Sequence, residues 1–330
     1  MNNKIKVLFQ PDRLLAAFMA RYFTWLPEDV SLRCRYRLLM HKKLHLNKPV
    51  TFTEKIQWLK LYDRKPIYTT MADKYEVKEY VAQRIGEQYI IPTLGVWDRF
   101  DDIDFAKLPE QFVLKSTNGG GGTGVVICKE KDKLDKEAAR KLLNLSMNVS
   151  ADKLQGEWVY KGIKPRIIAE KYMAVKKNSV STDLAESEVD ELKDYKFFCF
   201  NGKVRFFKVD FNRFVEHHAN YYDVNGTILP FGETAYPPSP NAEIRLPRNL
   251  SEMITLSEKL SEGHAFLRVD LYNVDGAIYF GETTFFPNSG FGEFEPREWD
   301  KKIGEMLILP ITGGVICNIY YTQEEVRLCA

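Results

Sequence analysis

The sequence predicts an α+β protein that begins with helices and ends with an antiparallel sheet. Apolar residues recur at helical spacing through positions 11–85, and two apolar, β-branched runs flank a glycine-rich loop within positions 111–129. Dipeptides of the hairpin type then occur three times, as Asn201-Gly202, Asn225-Gly226 and Asp275-Gly276. We therefore expect a helical region, a small middle subdomain and a carboxy-terminal subdomain, with bounds of 1–105, 106–175 and 176–330.

Composition and charge are those of an ordinary globular protein. The chain has 330 residues, of which 45% are hydrophobic and 28% charged, and its formal net charge is only +2. The five cysteines form no C-x-x-C pair, which argues against a zinc cage or a disulfide framework and predicts a reducing compartment. No apolar run approaches the roughly 20 residues that span a bilayer, and the amino terminus lacks the apolar core of a secretory signal. We therefore expect a cytoplasmic protein.

Positive charge is concentrated at the amino terminus. Residues 1–50 contain ten Lys or Arg against three Asp or Glu. This excess predicts an anionic partner, such as the inner face of a membrane, which the segment would contact peripherally. Two helices packed on the rest of the protein explain the same residues more simply. Nucleic acid is the weakest alternative, because no recognition module follows the basic segment.

Four helices are expected before the first strand. Residues 11–45 predict two of them, separated at Pro27, which is followed by the acidic residues that favour a helix start. A third is expected to begin at Thr53 in the stretch TEKIQWLKLYDR, and a fourth is expected over 72–85.

The stretch FVLKSTNGGGGTGVVICKE, residues 112–130, carries the first chemical signal. It lacks the Gly-Lys-Ser/Thr of a P-loop, and it does not open a helix, because β-branched residues continue after it. What remains is a hairpin whose backbone N–H groups can approach phosphate oxygens closely. Lys115 on the entering strand would reach a phosphate. By itself, however, a glycine-rich hairpin with a nearby lysine is more often a plain surface turn.

A helix over 135–148 and an apolar strand over 166–172 are expected next. Backbone groups at the end of that strand can read an adenine edge, with Glu170 accepting a hydrogen bond from the exocyclic amine. A solvated Glu170–Lys171 pair at the end of an amphipathic strand is the simpler interpretation.

Residues 267–290 predict a β-hairpin that carries two carboxylates in apolar surroundings. With a three-residue loop, position 273 pairs with 277, so Asp270 and Glu282 share one face at a diagonal spacing of roughly 7–8 Å. Carboxylates among apolar neighbours are costly unless paired or ligated, and such a pair suits Mg²⁺ held against nucleotide phosphates. A strict two-residue turn would instead put them on opposite faces. Acids that simply face solvent are the alternative.

The polar, aromatic stretch DFNRFVEHHANYYD, residues 210–223, offers candidate substrate groups. Arg213 would hold a carboxylate through two hydrogen bonds, and His217 would accept a proton from an amine. A polar loop without such roles is the simpler interpretation of these residues.

The order of these pieces resembles an ATP-grasp domain. More closely, the chain from about 48 to 305 is similar to the TupA-like ATP-grasp family, which is associated with bacterial surface-polysaccharide and teichuronopeptide biosynthesis. The resemblance implies an ATP-grasp fold with a reduced helical amino-terminal region, a small glycine-hairpin lid subdomain and an antiparallel carboxy-terminal sheet. It rests on Asp73-Lys74 at a helix start, the Lys115 hairpin, Glu170-Lys171-Tyr172-Met173, Asp194-Tyr195-Lys196-Phe197, and Asp270 with Glu282-x-Thr284.

The resemblance implies ATP and Mg²⁺ as cofactors and assigns roles residue by residue. Asp270 and Glu282 would bind Mg²⁺. Thr284 stands where most ATP-grasp enzymes have an asparagine, so it would be a weaker ligand and a second metal would need Asn288 or water. Lys115 would act in catalysis, together with Arg213 and His217, whose roles are suggested by the residues themselves and not by the resemblance. The residues implied to contact ATP are Lys74, Lys115, Gly119, Gly120, Gly121, Gly122, Gly124, Glu170, Met173, Asp194 and Lys196.

The reaction implied is an ATP-dependent ligation of a carboxylate to an amine through an acyl phosphate. The carboxylate would be of the uronic-acid type on a polysaccharide precursor, and the second substrate would be an amino acid or another amine. Its physical requirement is that Mg²⁺ and lysines neutralise the phosphates. Two alternatives stay open: a kinase of a sugar or glycan hydroxyl, and a catalytically weak ATP-binding protein.

Overall fold

The amino-terminal third of the protein is helical, as the apolar periodicity predicts. The structure, a computed structural model, describes residues 11–119, 124–149, 155–174, 192–212, 216–242 and 244–311. Thr51 starts the third helix with a capping box: its side chain accepts from the backbone N–H of Glu54, whose carboxylate accepts from the backbone N–H of Thr51. Helices α1 to α5 span Pro11–Tyr22, Glu28–Met40, Phe52–Tyr62, Ile67–Ala72 and Glu76–Ile85.

The helix predicted over 72–85 is observed as α5, but it begins at Glu76 and not at Ala72, because the chain leaves helical geometry between α4 and α5. There the Asp73 carboxylate accepts from the backbone N–H of Tyr75, the residue before α5, at 2.7 Å and from that of Glu76, the first residue of α5, at 3.1 Å. Lys74 lies in the break, and its backbone N–H donates to the Thr117 carbonyl at 3.1 Å. The break therefore fastens the start of α5 to the strand that enters the glycine loop.

A four-stranded antiparallel sheet forms the middle of the chain, in the order β1-β4-β2-β3. Its strands are β1 (Thr93–Trp97), β2 (Phe112–Ser116), β3 (Val125–Cys128) and β4 (Ile167–Lys171). The predicted glycine hairpin is present, with Lys115 paired to Val125 at its mouth. Helix α6 (Lys136–Met147) packs on β2 and β3. This sheet has its own small apolar core, which includes Phe112, Leu114, Leu143 and Ile167.

A five-stranded antiparallel sheet forms the carboxy-terminal part, in the order β10-β9-β5-β6-β7. Its inward face is rich in buried phenylalanines on β5 and β6, each of which contributes roughly 1.5–3 kcal/mol by burial. Helix α7 (Leu250–Ser261) packs on β5, β6 and β9. The strands are β5 (Asp194–Phe200), β6 (Lys203–Phe211), β7 (His218–Asp223), β9 (Phe266–Val274) and β10 (Ala277–Thr284). The remaining strands form a short pair, β8 (Gly232–Glu233) with β11 (Phe294–Glu295), and the last described α-helix is α8 (Trp299–Glu305).

The β9–β10 hairpin has a different register from the predicted one. Asp275 and Gly276 alone form the turn, both with positive φ (53° and 90°), so the residues flanking them pair with each other and the predicted three-residue loop is wrong. A β-bulge at Gly281 then shifts the register by one residue and puts Glu282 directly opposite Asp270. The two carboxylates therefore share one face, and they are directly opposite instead of diagonal.

No helix among the described residues is both long and apolar enough to cross a bilayer. The helical pair expected over 11–45 is present as α1 and α2, which pack on each other. Residues 1–10 and the polar stretch 176–191 lie outside the described residues.

Candidate nucleotide and metal site

The candidate site begins at the facing carboxylates of β9 and β10. Asp270 is fully buried, whereas 32% of the Glu282 side chain is exposed. The Arg268 guanidinium binds Asp270 through two hydrogen bonds of 2.7 and 2.8 Å and Glu282 through one of 3.1 Å. One arginine thus joins both predicted metal ligands. Sequence reasoning missed Arg268, although strand alternation puts residues 268 and 270 on one face.

The surroundings of the two carboxylates act on their pKa values in different ways. Burial raises the pKa of Asp270, against the opposing effect of Arg268 and Lys196. Burial also acts to raise the pKa of Glu282, but Lys74 and Arg268 outweigh it, so that pKa lies below its ordinary value. Glu282 is therefore the more readily ionised of the two, and Asp270 depends on its cations to stay charged.

Lys74 connects this hairpin to the glycine loop. Its ammonium donates to the Gly119 carbonyl and lies 4.0 Å from a Glu282 oxygen. Burial lowers the pKa of Lys74, which Glu282 partly opposes. The helix break described above is what delivers this side chain, because Lys74 lies between α4 and α5. The predicted Lys74 and Gly119 are thus brought together with Glu282.

Gly124 closes the glycine loop on the side of β3. It has a φ of +70°, its carbonyl accepts from the Ser116 N–H at 3.1 Å, and an added Cβ would collide with the Ser146 side chain. The predicted phosphate contacts Gly120, Gly121 and Gly122 lie outside the described residues.

Lys115 and Glu170, which the resemblance assigns to the phosphates and to adenine, bind each other. Lys115 Nζ lies 2.6 Å from one Glu170 oxygen, and Lys78 Nζ lies 2.6 Å from the other. Burial acts to raise the pKa of Glu170, but Lys115 and Lys78 outweigh it and lower that pKa. Because Glu170 is buried and doubly paired, a solvated Glu170–Lys171 pair is excluded. Met173, two residues beyond the end of β4, is partly buried.

Lys78 is a second residue that sequence reasoning missed. It lies one turn into α5, and it also donates to the Ile91 carbonyl at 2.8 Å and to the Thr93 hydroxyl at 3.0 Å. It therefore ties α5 to β1 as well as to Glu170. A lysine on an amphipathic helix gives no local signal of such a role.

Asp194 and Lys196, predicted to lie near ribose or phosphate, adjoin the metal hairpin. Lys196 is the cross-strand partner of Asp270, and its ammonium lies 2.6 Å from Asp270 and 3.6 Å from Asp210 and is hydrogen-bonded to Asp194. Burial acts to lower the pKa of Lys196, but Asp194 and Asp270 outweigh it and raise that pKa. The surrounding carboxylates therefore favour the charged form of Lys196.

His217 extends the charged cluster away from the hairpin. Its Nε2 lies 3.1 Å from an Asp210 oxygen, and its ring lies 4.1 Å from the ring of Tyr236. Beyond Asp210, Lys208 lies 3.1 Å from Glu233, which also accepts from the Asn288 amide at 2.8 Å. Arg213, the other predicted substrate residue, lies outside the described residues.

The cluster carries an excess of negative charge. Five carboxylates face four cationic side chains, so one negative charge remains over if all are ionised. The carboxylates are Asp194, Asp210, Glu233, Asp270 and Glu282, and the cations are Lys74, Lys196, Lys208 and Arg268.

These residues fit Mg²⁺ and a nucleotide chemically. Mg²⁺ takes hard oxygen ligands and is commonly held by one or two carboxylates together with nucleotide phosphates. Thr284 adds a hydroxyl two residues after Glu282, opposite Arg268. The described part of the chain holds no group of three or more His, Cys, Asp or Glu arranged around a metal position. Metal binding here would therefore rely on Asp270, Glu282 and phosphate oxygens together.

Comparison with protein families matches residues 54–308 to the family described as TupA-like ATPgrasp. Comparison with curated proteins gives no match. Among solved structures, the chain is similar to D-alanine–D-alanine ligase from Bacillus anthracis (18% identity, TM-score 0.34, 66% of this chain and 57% of that chain) and to L-amino acid ligase from Bacillus licheniformis (13%, 0.40, 81% and 57%). Both TM-scores are below 0.5, so these similarities are not used to assign a function. The chain spans 57% of the length of either enzyme.

Proposed function

The chain belongs to the TupA-like ATP-grasp family, which matches residues 54–308, and on that premise we propose that it is an ATP- and Mg²⁺-dependent carboxylate–amine ligase. It has an α+β ATP-grasp fold, and ATP-grasp enzymes use ATP and Mg²⁺. One observation supports the proposal most directly: Asp270 and Glu282 face each other on one hairpin, and Lys74 joins Glu282 to the glycine loop.

In this proposal the glycine hairpin closes over the nucleotide. Residues 106–175 form the lid, and residues 176–330 carry the metal hairpin. Mg²⁺, when bound, neutralises charge on the transferred phosphate. The residues that would hold Mg²⁺ are Asp270, Glu282 and Thr284. The residues that would contact ATP are Lys74, Lys115, Gly119, Gly120, Gly121, Gly122, Gly124, Glu170, Met173, Asp194 and Lys196.

The chain's cations would align the reacting groups. A carboxylate oxygen of the first substrate attacks the γ-phosphorus, the bond to the bridging oxygen of ADP breaks, and an acyl phosphate forms. An amine nitrogen then attacks the acyl carbon, and phosphate leaves. Arg213 would hold the carboxylate, Lys115 would hold the transferred phosphoryl group, and His217, oriented by Asp210, would accept the proton that the amine loses.

The substrates in this proposal are a uronic-acid-type carboxylate on a bacterial surface-polysaccharide precursor and an amino acid or another amine. The protein would act in the cytoplasm, with peripheral contact to the inner face of the membrane through residues 1–50. A kinase that phosphorylates a sugar hydroxyl is the second candidate, because the same phosphate-binding residues would serve it.

The first experiment is a thermal melt with ATP or a non-hydrolysable analogue, with and without Mg²⁺. Selective binding to the folded state raises the melting temperature by mass action. We expect a rise that requires Mg²⁺, and no rise at millimolar nucleotide would contradict the proposal. Uronic acids combined with amino acids are then screened for release of ADP and phosphate, whereas a stable phosphosugar in place of phosphate would identify the kinase.

A further inference from the structure

Helix α1 exposes large apolar side chains and buries small ones. Leu14, Leu15, Phe18 and Tyr22 are 47–59% exposed, whereas Ala16 and Ala20 on the opposite side are buried where α1 packs on α2. A helix on a globular protein normally turns its large apolar residues towards the core. Among the residues that the structure describes, none covers the more hydrophobic side of α1.

The exposed surface continues past the end of α1. Phe23 is 37% exposed and Trp25 is 74% exposed, and the rings form a chain of contacts: centroids are 4.6 Å apart for Phe18 and Tyr22 and 6.1 Å apart for Phe23 and Trp25. Of the twenty large apolar side chains exposed in the described part of the protein, six lie within positions 14–25. We call these six residues (Leu14, Leu15, Phe18, Tyr22, Phe23 and Trp25) the aromatic patch. Such clustering marks an interaction surface, whereas isolated exposed apolar residues do not.

The surroundings of the aromatic patch are positively charged. The three acidic residues nearby are already paired, with Asp12 3.8 Å from His41, Asp29 3.9 Å from Arg33, and Glu28 bound by Arg64. Arg13 and Arg21 lie on α1 itself, Arg21 over the Tyr22 ring, and Arg37, Lys43 and Lys48 are exposed further along the same basic segment. The partner that fits this surface combines an apolar interior with a negatively charged boundary.

We propose that the aromatic patch docks on the surface of an anionic lipid bilayer, with α1 lying in the plane of the membrane. Tryptophan and tyrosine favour the headgroup region, where one end of the ring is apolar and the other is wet. Arginines and lysines beside them interact with lipid phosphates. A second copy of the chain fits less well, because it would bring two positively charged surfaces together. This inference rests on the membrane contact of residues 1–50 in the proposed function and assigns it to one surface, but it does not depend on the reaction.

Sedimentation with lipid vesicles tests the proposal. The full chain is mixed with vesicles of phosphatidylcholine alone or with 30% phosphatidylglycerol, a composition chosen to make about a third of the headgroups anionic. We expect the protein to bind the anionic vesicles, and to bind them less at high salt. Phe18→Ser combined with Trp25→Ser should weaken that binding by about tenfold or more, because two buried aromatic anchors are lost.

Leu142→Ser combined with Leu145→Ser is the matched control, because these two leucines on α6 are 41% and 64% exposed and lie far from α1 in the sequence. That variant should bind vesicles like the wild type. The proposal would be overturned if the wild type did not bind anionic vesicles, if both double variants lost binding equally, or if the Phe18/Trp25 variant bound unchanged. A wild-type dimer that the Phe18/Trp25 variant converts to a monomer would overturn it in favour of contact between copies. The melting temperature of each double variant is measured beside that of the wild type, so that a loss of folding is recognised separately from a loss of vesicle binding.

Discussion

Replacing Glu170 by Gln should destabilise the protein by about 3–5 kcal/mol, the typical result of removing one partner from a buried ion pair. Glu170 is the shared anion of Lys115 and Lys78, each 2.6 Å from one of its oxygens, and all three side chains are at most 17% exposed. Water therefore screens the interaction little. The amide keeps one acceptor oxygen but turns an N–H group towards the other ammonium. Because burial already lowers the pKa of Lys78, loss of a proton from that lysine limits the destabilisation.

Urea denaturation followed by tryptophan fluorescence measures this loss at neutral pH. Lys78→Met is the control background: there Glu170→Gln should cost about 1–3 kcal/mol less, the usual coupling of residues in contact. The pH dependence has a definite sign. The pKa of Glu170 is lowered in the fold, so its contribution is present above the unfolded value of about 4.3 and is lost as the pH falls through the folded value. The wild type should therefore lose more stability than the variant on acidification. A Glu170→Gln protein within about 0.5 kcal/mol of wild type at neutral pH would refute the reasoning.

Three further predictions concern the hairpin and a buried lysine. Glu282→Gln keeps an acceptor for Arg268, so the melting temperature without metal should change little. The Mg²⁺-dependent stabilisation by an ATP analogue should fall by about 1.4 kcal/mol or more, which is a tenfold loss of affinity. An unchanged stabilisation in thermal melts would contradict the metal assignment. Gly281→Val puts a Cβ 3.0 Å from the Tyr272 ring and 3.1 Å from the backbone carbonyl of Asp270, so the bulge must shift, and the same Mg²⁺-dependent stabilisation should be lost together with about 1–3 kcal/mol of stability in urea titrations. Burial lowers the pKa of Lys60 to about 7, so between about pH 7 and 10 the unfolded chain binds a proton that the folded protein lacks. As the pH rises through that range, the wild type should gain stability relative to Lys60→Met in thermal melts. Parallel plots of stability against pH for the two proteins would count against a buried, titrating lysine.

Most of the helices and strands are predictable from local patterns, because hydrophobic periodicity indicates the type of element and turn residues indicate where it ends. The helix expected over 135–148 is observed as α6 (Lys136–Met147), and the glycine hairpin lies where the glycine run between two β-branched runs puts it. The break between α4 and α5 is different. It depends on hydrogen bonds from the backbone to the Asp73 carboxylate and on a hydrogen bond from the Lys74 N–H to the carbonyl of Thr117, just after β2, and local sequence does not show that these two distant segments meet.

The candidate site is predictable in its residue types and not in its pairings. The apolar residues around Asp270 and Glu282 indicate carboxylates that need partners, and both do have partners although the predicted loop is wrong. The bulge at Gly281 is what puts Glu282 opposite Asp270, and a glycine inside a strand is only a weak sign of a bulge. Strand alternation could have placed Arg268 on the face of Asp270, whereas Lys78 carries no local signal, because its contact with Glu170 joins elements that are distant along the chain.

The pairings explain why Mg²⁺ and ATP should bind together. Without ligands, Arg268 and Lys196 neutralise Asp270, Lys74 lies beside Glu282, and the nearby Lys115 neutralises Glu170. In the proposed function, a nucleotide triphosphate alone would bring negative charge towards Asp270 and Glu282, and Mg²⁺ alone would compete with Arg268 for these two carboxylates. If Asp270 and Glu282 hold Mg²⁺ as proposed, the lysines and the arginine would be available to phosphate oxygens through charge-assisted hydrogen bonds. Mg²⁺ and ATP would therefore each favour binding of the other.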